Sequence, residues 1–364
     1  MGNAKADSRR GKEKLSLSEQ NSRMEVINSS AIERKNSDRV VWVDIVKGLA
    51  SILVIAVHAP KPIFVSRLIA PYFLAVFFLV SGYSTRVPFQ KGYVKKNIIK
   101  NLKLMLAYGI PLIFLTRILV GNLTFPNISN DFIGLVIQSP QVLTKYFDYL
   151  WFFACILIAK LIFYVIVRLS KEKDVGILAL SLMIGGAGCF YSWAIRVPLP
   201  WHVQTACAVQ LLYCAGYFLH KYESVFKRFE FAVFGVSTIM FFVTVINLPM
   251  DVDLHTMFFS SYPNYIIQTF FGVAFFICCC RRIGHNSVLE YIGKNSAFFY
   301  AFHPIAVMVV LELFSGYSKQ MEPYFASFFL TAVSTFLLYL SCELYLQIKA
   351  GLKQRKSTAK IPAC

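Results

Sequence analysis

Three ionisable residues, Asp44, Lys47 and His58, stand within one largely apolar stretch that runs from Val41 to His58. Ionisable groups inside a membrane are costly and usually functional. At about 100° per residue, Asp44 to Lys47 turns about 300°, and Lys47 to His58 returns to within about 20° of the same meridian. All three face one way. The rise from Lys47 to His58 is about 16 Å, so the carboxylate and the ammonium sit near one end of the helix and the imidazole near the other. Such a stripe can supply a general base, together with a cation placed for an anionic substrate or cofactor. The plain alternative is that Asp44 and Lys47 neutralise each other at i, i+3 while Lys47 snorkels and His58 anchors an interface. Gly48 thins the helix beside Lys47 and lets a neighbour or ligand come close.

The elements that must hold this stripe follow from composition. The chain has 364 residues, 57% hydrophobic, 16% aromatic and only 15% charged. That excludes a soluble enzyme, a disordered chain and a disulfide-rich secreted domain, because no polar shell is available outside the two ends. Apolar segments long enough to cross the hydrocarbon layer recur near 41–60, 64–84, 102–120, 150–169, 175–194, 203–219, 231–249, 261–280, 292–313 and 324–347. The expected fold is all-α: a polytopic transmembrane helix bundle of about ten spans. With the amino terminus inside, 29 Lys and Arg fall on the inner side and 6 on the outer side. This is the asymmetry the positive-inside rule demands, and it makes both termini cytoplasmic.

The formal charge of +18 lies in short clusters between apolar runs, so it points to an anionic membrane face rather than to nucleic acid. Residues 1–38 are charged and rich in Ser and Asn, and read as a disordered cytoplasmic tail. Residues 39–348 form the membrane domain, and 349–364 a second basic cytoplasmic tail. The outer connection near 121–148 lies in the interface or caps a site. Nine cysteines without metal spacing read as small apolar fillers. Asp251, Asp253 and His255 lack a further ligand for a metal, and no metal is expected.

Several short motifs add detail. Asp44-x-x-Lys47-Gly48 is followed by His58 after ten intervening positions; Phe77-Phe-Leu-Val-Ser81-Gly82-Tyr83 falls in the second span, and Leu150-Trp151-Phe152 opens the fourth. Leu199-Pro-Trp201, Gly216-Tyr217, Gly293-Lys-Asn-Ser296, Tyr300 and His303-Pro304 follow in order. Together these resemble the acyltransferase-3 family of integral membrane O-acyltransferases, over residues 39–346. Lys in place of the Arg of many members resembles the fucose 4-O-acetylase-like branch.

The resemblance implies transfer of an acetyl group from cytoplasmic acetyl-CoA to a hydroxyl of a cell-envelope polysaccharide or its lipid-linked precursor. It places the protein as a multi-pass protein of the cell membrane, in a bacterium the inner membrane, with membrane lipid and an envelope glycan or lipid-linked sugar as partners and no nucleic acid. The reading leaves room for a homodimer. His58 is then the general base or a transient acyl carrier, and Asp44 and Lys47 arrange the inner end. His303 is a candidate for substrate or donor binding, since Pro304 opens a helix turn and exposes carbonyls. Ser81 can donate to an oxyanion, and Tyr83 and Trp151 can stack on sugar or adenine; interfacial packing explains the same residues equally well. The second function class is a polytopic transporter or flippase for a glycan or small solute.

Overall fold

The stretch that carries the ionisable stripe winds without a break as α1 (Val41–His58). A computed structural model describes residues 40–138, 150–247, 252–255, 257–259, 261–318 and 320–358. The chain divides into residues 1–41 and a second unit, 42–364. The expected tail over 1–38 lies outside the described residues.

After α1 come α2 (Ile63–Ile69), α3 (Ala75–Tyr83), α4 (Tyr93–Leu119), α5 (Phe125–Ile137), α6 (Trp151–Leu169) and α7 (Asp174–Ala194). A 3-10 turn at Pro200–His202 leads into α8 (Val203–Ala208) and α9 (Gln210–Lys221), followed by α10 (Glu223–Asn247). Two two-residue strands, β1 (Val252–Asp253) and β2 (Phe258–Phe259), pair antiparallel with Val252 opposite Phe259. Then follow α11 (Tyr262–Ile283), α12 (Ser287–Lys294), α13 (Ser296–Ser318) and α14 (Pro323–Thr358). The described residues form an all-helical membrane bundle with one small hairpin. The last helix runs past 348, so the basic carboxyl-terminal segment begins on it.

Among the described residues, eight helices are long and apolar enough to cross a membrane: α1, α4, α6, α7, α10, α11, α13 and α14. The other two expected spans are each made of two short helices. In the second, α2 gives way to turns over 70–74 around Pro71, which has no N–H to offer the ladder. The Pro71 carbonyl instead accepts from Thr269 Oγ1 at 2.8 Å. In the sixth, the break falls at Val209, and the Gln210 side chain donates to the carbonyls of Ala206 (2.7 Å) and Ala159 (3.1 Å). Broken helix is tolerated at membrane depth only where protein groups take up the freed backbone in this way.

Lipid tails are as apolar as leucine, so close backbone approach through small residues must drive helix association. A Cβ on Gly48 would stand 2.1 Å from the Leu289 carbonyl oxygen, and one on Gly293 only 1.9 Å from that of Asp44. The two glycines therefore lock α1 against α12. The core around this contact joins Ile55, Ile292, Phe299, Val307 and Leu338 from α1, α12, α13 and α14. The same device, Gly82 on the Tyr213 carbonyl and Gly216 on that of Leu79, seats α3 along α9.

Chain direction defines two ends. Asp174 pairs with Lys221, and Arg281 lies over the Trp42 ring at 5.1 Å, so the starts of α1 and α7 and the ends of α9 and α11 share a basic end. His58, Trp151, His202 and the β1–β2 hairpin occupy the opposite end. There α5 is tied to α4 by a buried bidentate pair, Arg117 Nε to Asp131 Oδ2 at 2.6 Å and Nη2 to Oδ1 at 2.8 Å.

Candidate active site

A cavity of about 440 Å³ enters the bundle from the basic end, between α1, α3, α4, α6 and α13. Its wall on α4 runs from Asn97 to Tyr108, a depth of about 16 Å, so it reaches about halfway through a hydrocarbon layer of about 30 Å. Four lysines line it: Lys47 from α1, Lys100 from α4, Lys160 from α6 and Lys294 from the end of α12. Its lining includes no carboxylate; the nearby acids stand behind the lysines, Asp44 at 4.0 Å from Lys47 and Glu290 at 3.3 Å from Lys294. Four ammonium groups around one hollow of low dielectric make a strong anion site, since their attraction for a polyanion is poorly screened there.

The deep end is aromatic. Phe77, Phe152, Phe153, Tyr108 and Tyr300 close it, with the Phe152 and Tyr300 rings 4.9 Å apart. Beyond Tyr300 lies His303, 5.6 Å away ring to ring, and beyond that His58, 4.8 Å from His303. His303 is wholly buried, and its Nδ1 lies 2.6 Å from the Tyr300 carbonyl oxygen. His58 closes α1 at the opposite end and is exposed, with Lys61 and Asp253 as its charged neighbours. Burial lowers the Lys61 ammonium, which donates to the Val57 carbonyl. The line from lysine cavity to exposed imidazole thus passes through Tyr300 and His303.

The other sequence candidates divide between cavity and scaffold. Lys47 and Ser81 line the cavity together. Asp44 is buried behind Lys47, where its carboxylate supports the ammonium. Tyr83 turns away from the cavity: its hydroxyl donates to Glu223 Oε2 at 2.9 Å, and its ring stands edge-on to Trp42. Arg281 completes that network, 3.5 Å from Glu223 and 3.2 Å from Glu230. Trp151 is buried at the opposite end between His202 (4.9 Å) and His255 (5.3 Å), within a single aromatic cluster. Burial, reinforced by the neighbouring His255, lowers His202 to about 3, so that ring is neutral.

Lys100, Lys160 and Lys294 are not among the residues that the sequence motifs single out. The signal for Lys160 was its position: it stands midway along α6 (Trp151–Leu169), too deep for easy snorkelling. Asp253 was set aside for want of a metal set. Among the described residues no group of three or more His, Cys, Asp or Glu is arranged to hold a metal.

An all-helical bundle with a lysine-lined cavity on one side and a pair of imidazoles beyond its aromatic tip is the arrangement of a polytopic membrane protein with polar groups gathered inside the bundle. The acyltransferase domain family Acyl_transf_3 matches residues 40–343, and the chain belongs to that family. Its members are acyltransferases, and this protein is a multi-pass membrane acyltransferase. No curated protein and no solved structure matches the chain.

Proposed function

We propose that the protein is an O-acetyltransferase that takes acetyl from acetyl-CoA on the cytoplasmic side and esterifies a hydroxyl of a cell-envelope polysaccharide or its lipid-linked precursor. The observation that carries this reading is the four-lysine cavity ending at Tyr300, beside the His303–His58 pair. Coenzyme A brings phosphates at one end and a thioester at the other. Lys47, Lys100, Lys160 and Lys294 suit the phosphates, and the narrow aromatic tip suits the uncharged pantetheine arm. A thioester is already activated, so the protein has mainly to align the partners, remove the hydroxyl proton and stabilise the tetrahedral oxyanion.

In this reading His58 removes the proton, and its exposed position supports an acceptor that approaches from the opposite end to the donor. Ser81 is a donor to the thioester carbonyl or to the pantetheine amides. The basic end faces the cytoplasm, in a bacterium across the inner membrane. A homodimer is compatible with the exposed apolar helix faces.

Membranes containing the protein, supplied with acetyl-labelled acetyl-CoA, should pass label to base-labile ester on glycan. His58→Ala should abolish that transfer while the protein is still made and inserted. Near-normal ester formation by His58→Ala would remove His58 from the chemistry. Uptake of a glycan or solute without ester formation would favour a transporter.

A further inference from the structure

His303 stands immediately before Pro304 inside α13 (Ser296–Ser318). Proline has no N–H, so the carbonyl four residues earlier, that of Tyr300, loses its helical donor. His303 Nδ1 fills that vacancy at 2.6 Å. A carbonyl oxygen only accepts, so the nitrogen facing it carries the proton and the neutral ring keeps its lone pair on Nε2. The His-Pro step therefore does two things: it frees a carbonyl and uses that carbonyl to set the tautomer of the adjacent imidazole.

The ring so fixed lies 4.8 Å from the His58 ring, tilted by 39°. The two imidazoles occupy different settings. His58 is exposed, with Lys61 and Asp253 as charged neighbours, whereas His303 is wholly buried beside Tyr300, a residue of the cavity wall. The pair spans the gap between the exposed end and the tip of the cavity. A hydroxyl arriving from the exposed end and a thioester arriving from the cavity meet at one carbonyl carbon, where the hydroxyl loses a proton and the departing sulfur gains one.

We infer that His303 is the proton acceptor behind His58, and that the two imidazoles carry the acceptor's hydroxyl proton to the leaving thiolate. This rests on the acetyl-transfer reading above. In the step, the hydroxyl oxygen bonds to the thioester carbonyl carbon as its proton passes to one nitrogen of His58. The N–H at the other nitrogen of His58 passes to His303 Nε2, and the C–S bond breaks with its electron pair going to sulfur. His303, then an imidazolium held by the Tyr300 carbonyl, returns a proton to that thiolate. The ester and the free thiol are the products, and both histidines end neutral.

The test uses the full-length protein in lipid nanodiscs. With its six histidines labelled with 15N, magnetic resonance should show one neutral imidazole with the proton on Nδ1. His303→Asn should remove that signal and His58→Phe should shift it. In steady-state assays His303→Asn should lower kcat by about 100-fold or more, the range of proton-transfer catalysis, with KM for acetyl-CoA within about threefold of wild type. Pro304→Ala, which returns a competing N–H to the Tyr300 carbonyl, should lower kcat by about tenfold and broaden the same resonance. A His303 ring protonated on Nε2 alone, or a His303→Asn variant with wild-type kcat, overturns the relay while leaving acetyl transfer intact. Wild-type membranes that form no ester from acetyl-CoA overturn the acetyl-transfer reading, and the relay with it.

Discussion

At the scale of single residues, the lysine cavity explains a charge pattern that composition alone assigns to loops. Lys160 lies midway along an apolar helix, with Lys100 and Lys47 as its nearest like charges. Without an anion such a cluster repels itself, so these lysines make physical sense as a ligand site. Charge-assisted contacts to phosphate contribute about 1.5–3 kcal/mol each. Lys160→Met should accordingly weaken coenzyme A binding by about 10- to 100-fold, measured by calorimetry on detergent-solubilised protein. The same variant should unfold no earlier than wild type in the absence of ligand, since it relieves repulsion. Unchanged affinity would place the donor elsewhere.

At the scale of elements, the bundle is held by close contacts and buried pairs rather than by apolar burial alone. The Arg117–Asp131 pair is the strongest case: both side chains are buried, and two hydrogen bonds of 2.6 and 2.8 Å join the end of α4 to α5. Removing one partner strands a buried charge, a loss of about 3–5 kcal/mol, whereas replacing both with apolar groups is close to neutral. Arg117→Met and Asp131→Leu should therefore each lower the thermal midpoint in detergent by several degrees, and the double variant should recover most of the loss. Equal losses that simply add would mean the pair contributes nothing as a pair. The α5 helix leaves Phe125 and Val136 exposed, an apolar face suited to the membrane interface.

At the scale of the whole molecule, the two ends differ in charge and in chemistry. The basic end opens the cavity, and the opposite end carries His58, the hairpin and α5. This arrangement makes a topological prediction that is independent of the reaction. A cysteine introduced at Asn130, in α5, should react with a membrane-impermeant maleimide on intact cells, and one introduced at exposed Lys91 should react only after permeabilisation. The reverse pattern would invert the protein and place the lysine cavity on the wrong side for a cytoplasmic donor.

Sequence alone determined what depends on local pattern. It showed a helical membrane bundle, because apolar length and loop charge are local quantities. It also singled out Lys47 and Ser81, which line the cavity, and His58 and His303, whose rings lie 4.8 Å apart. It overstated the continuity of two spans: Pro71 and the turn at Val209 break them, and the compensating bonds from Thr269 and Gln210 come from contacts that no window of sequence contains. Tyr83 and Trp151 look alike in sequence as aromatic residues near span ends, yet each is committed to its own buried network. Tertiary structure alone brought His58 of α1 to His303 of α13 and gathered four lysines from four helices around one hollow. Distances between residues far apart in the chain are set by how helices pack, and packing leaves no periodicity in the sequence from which to read them.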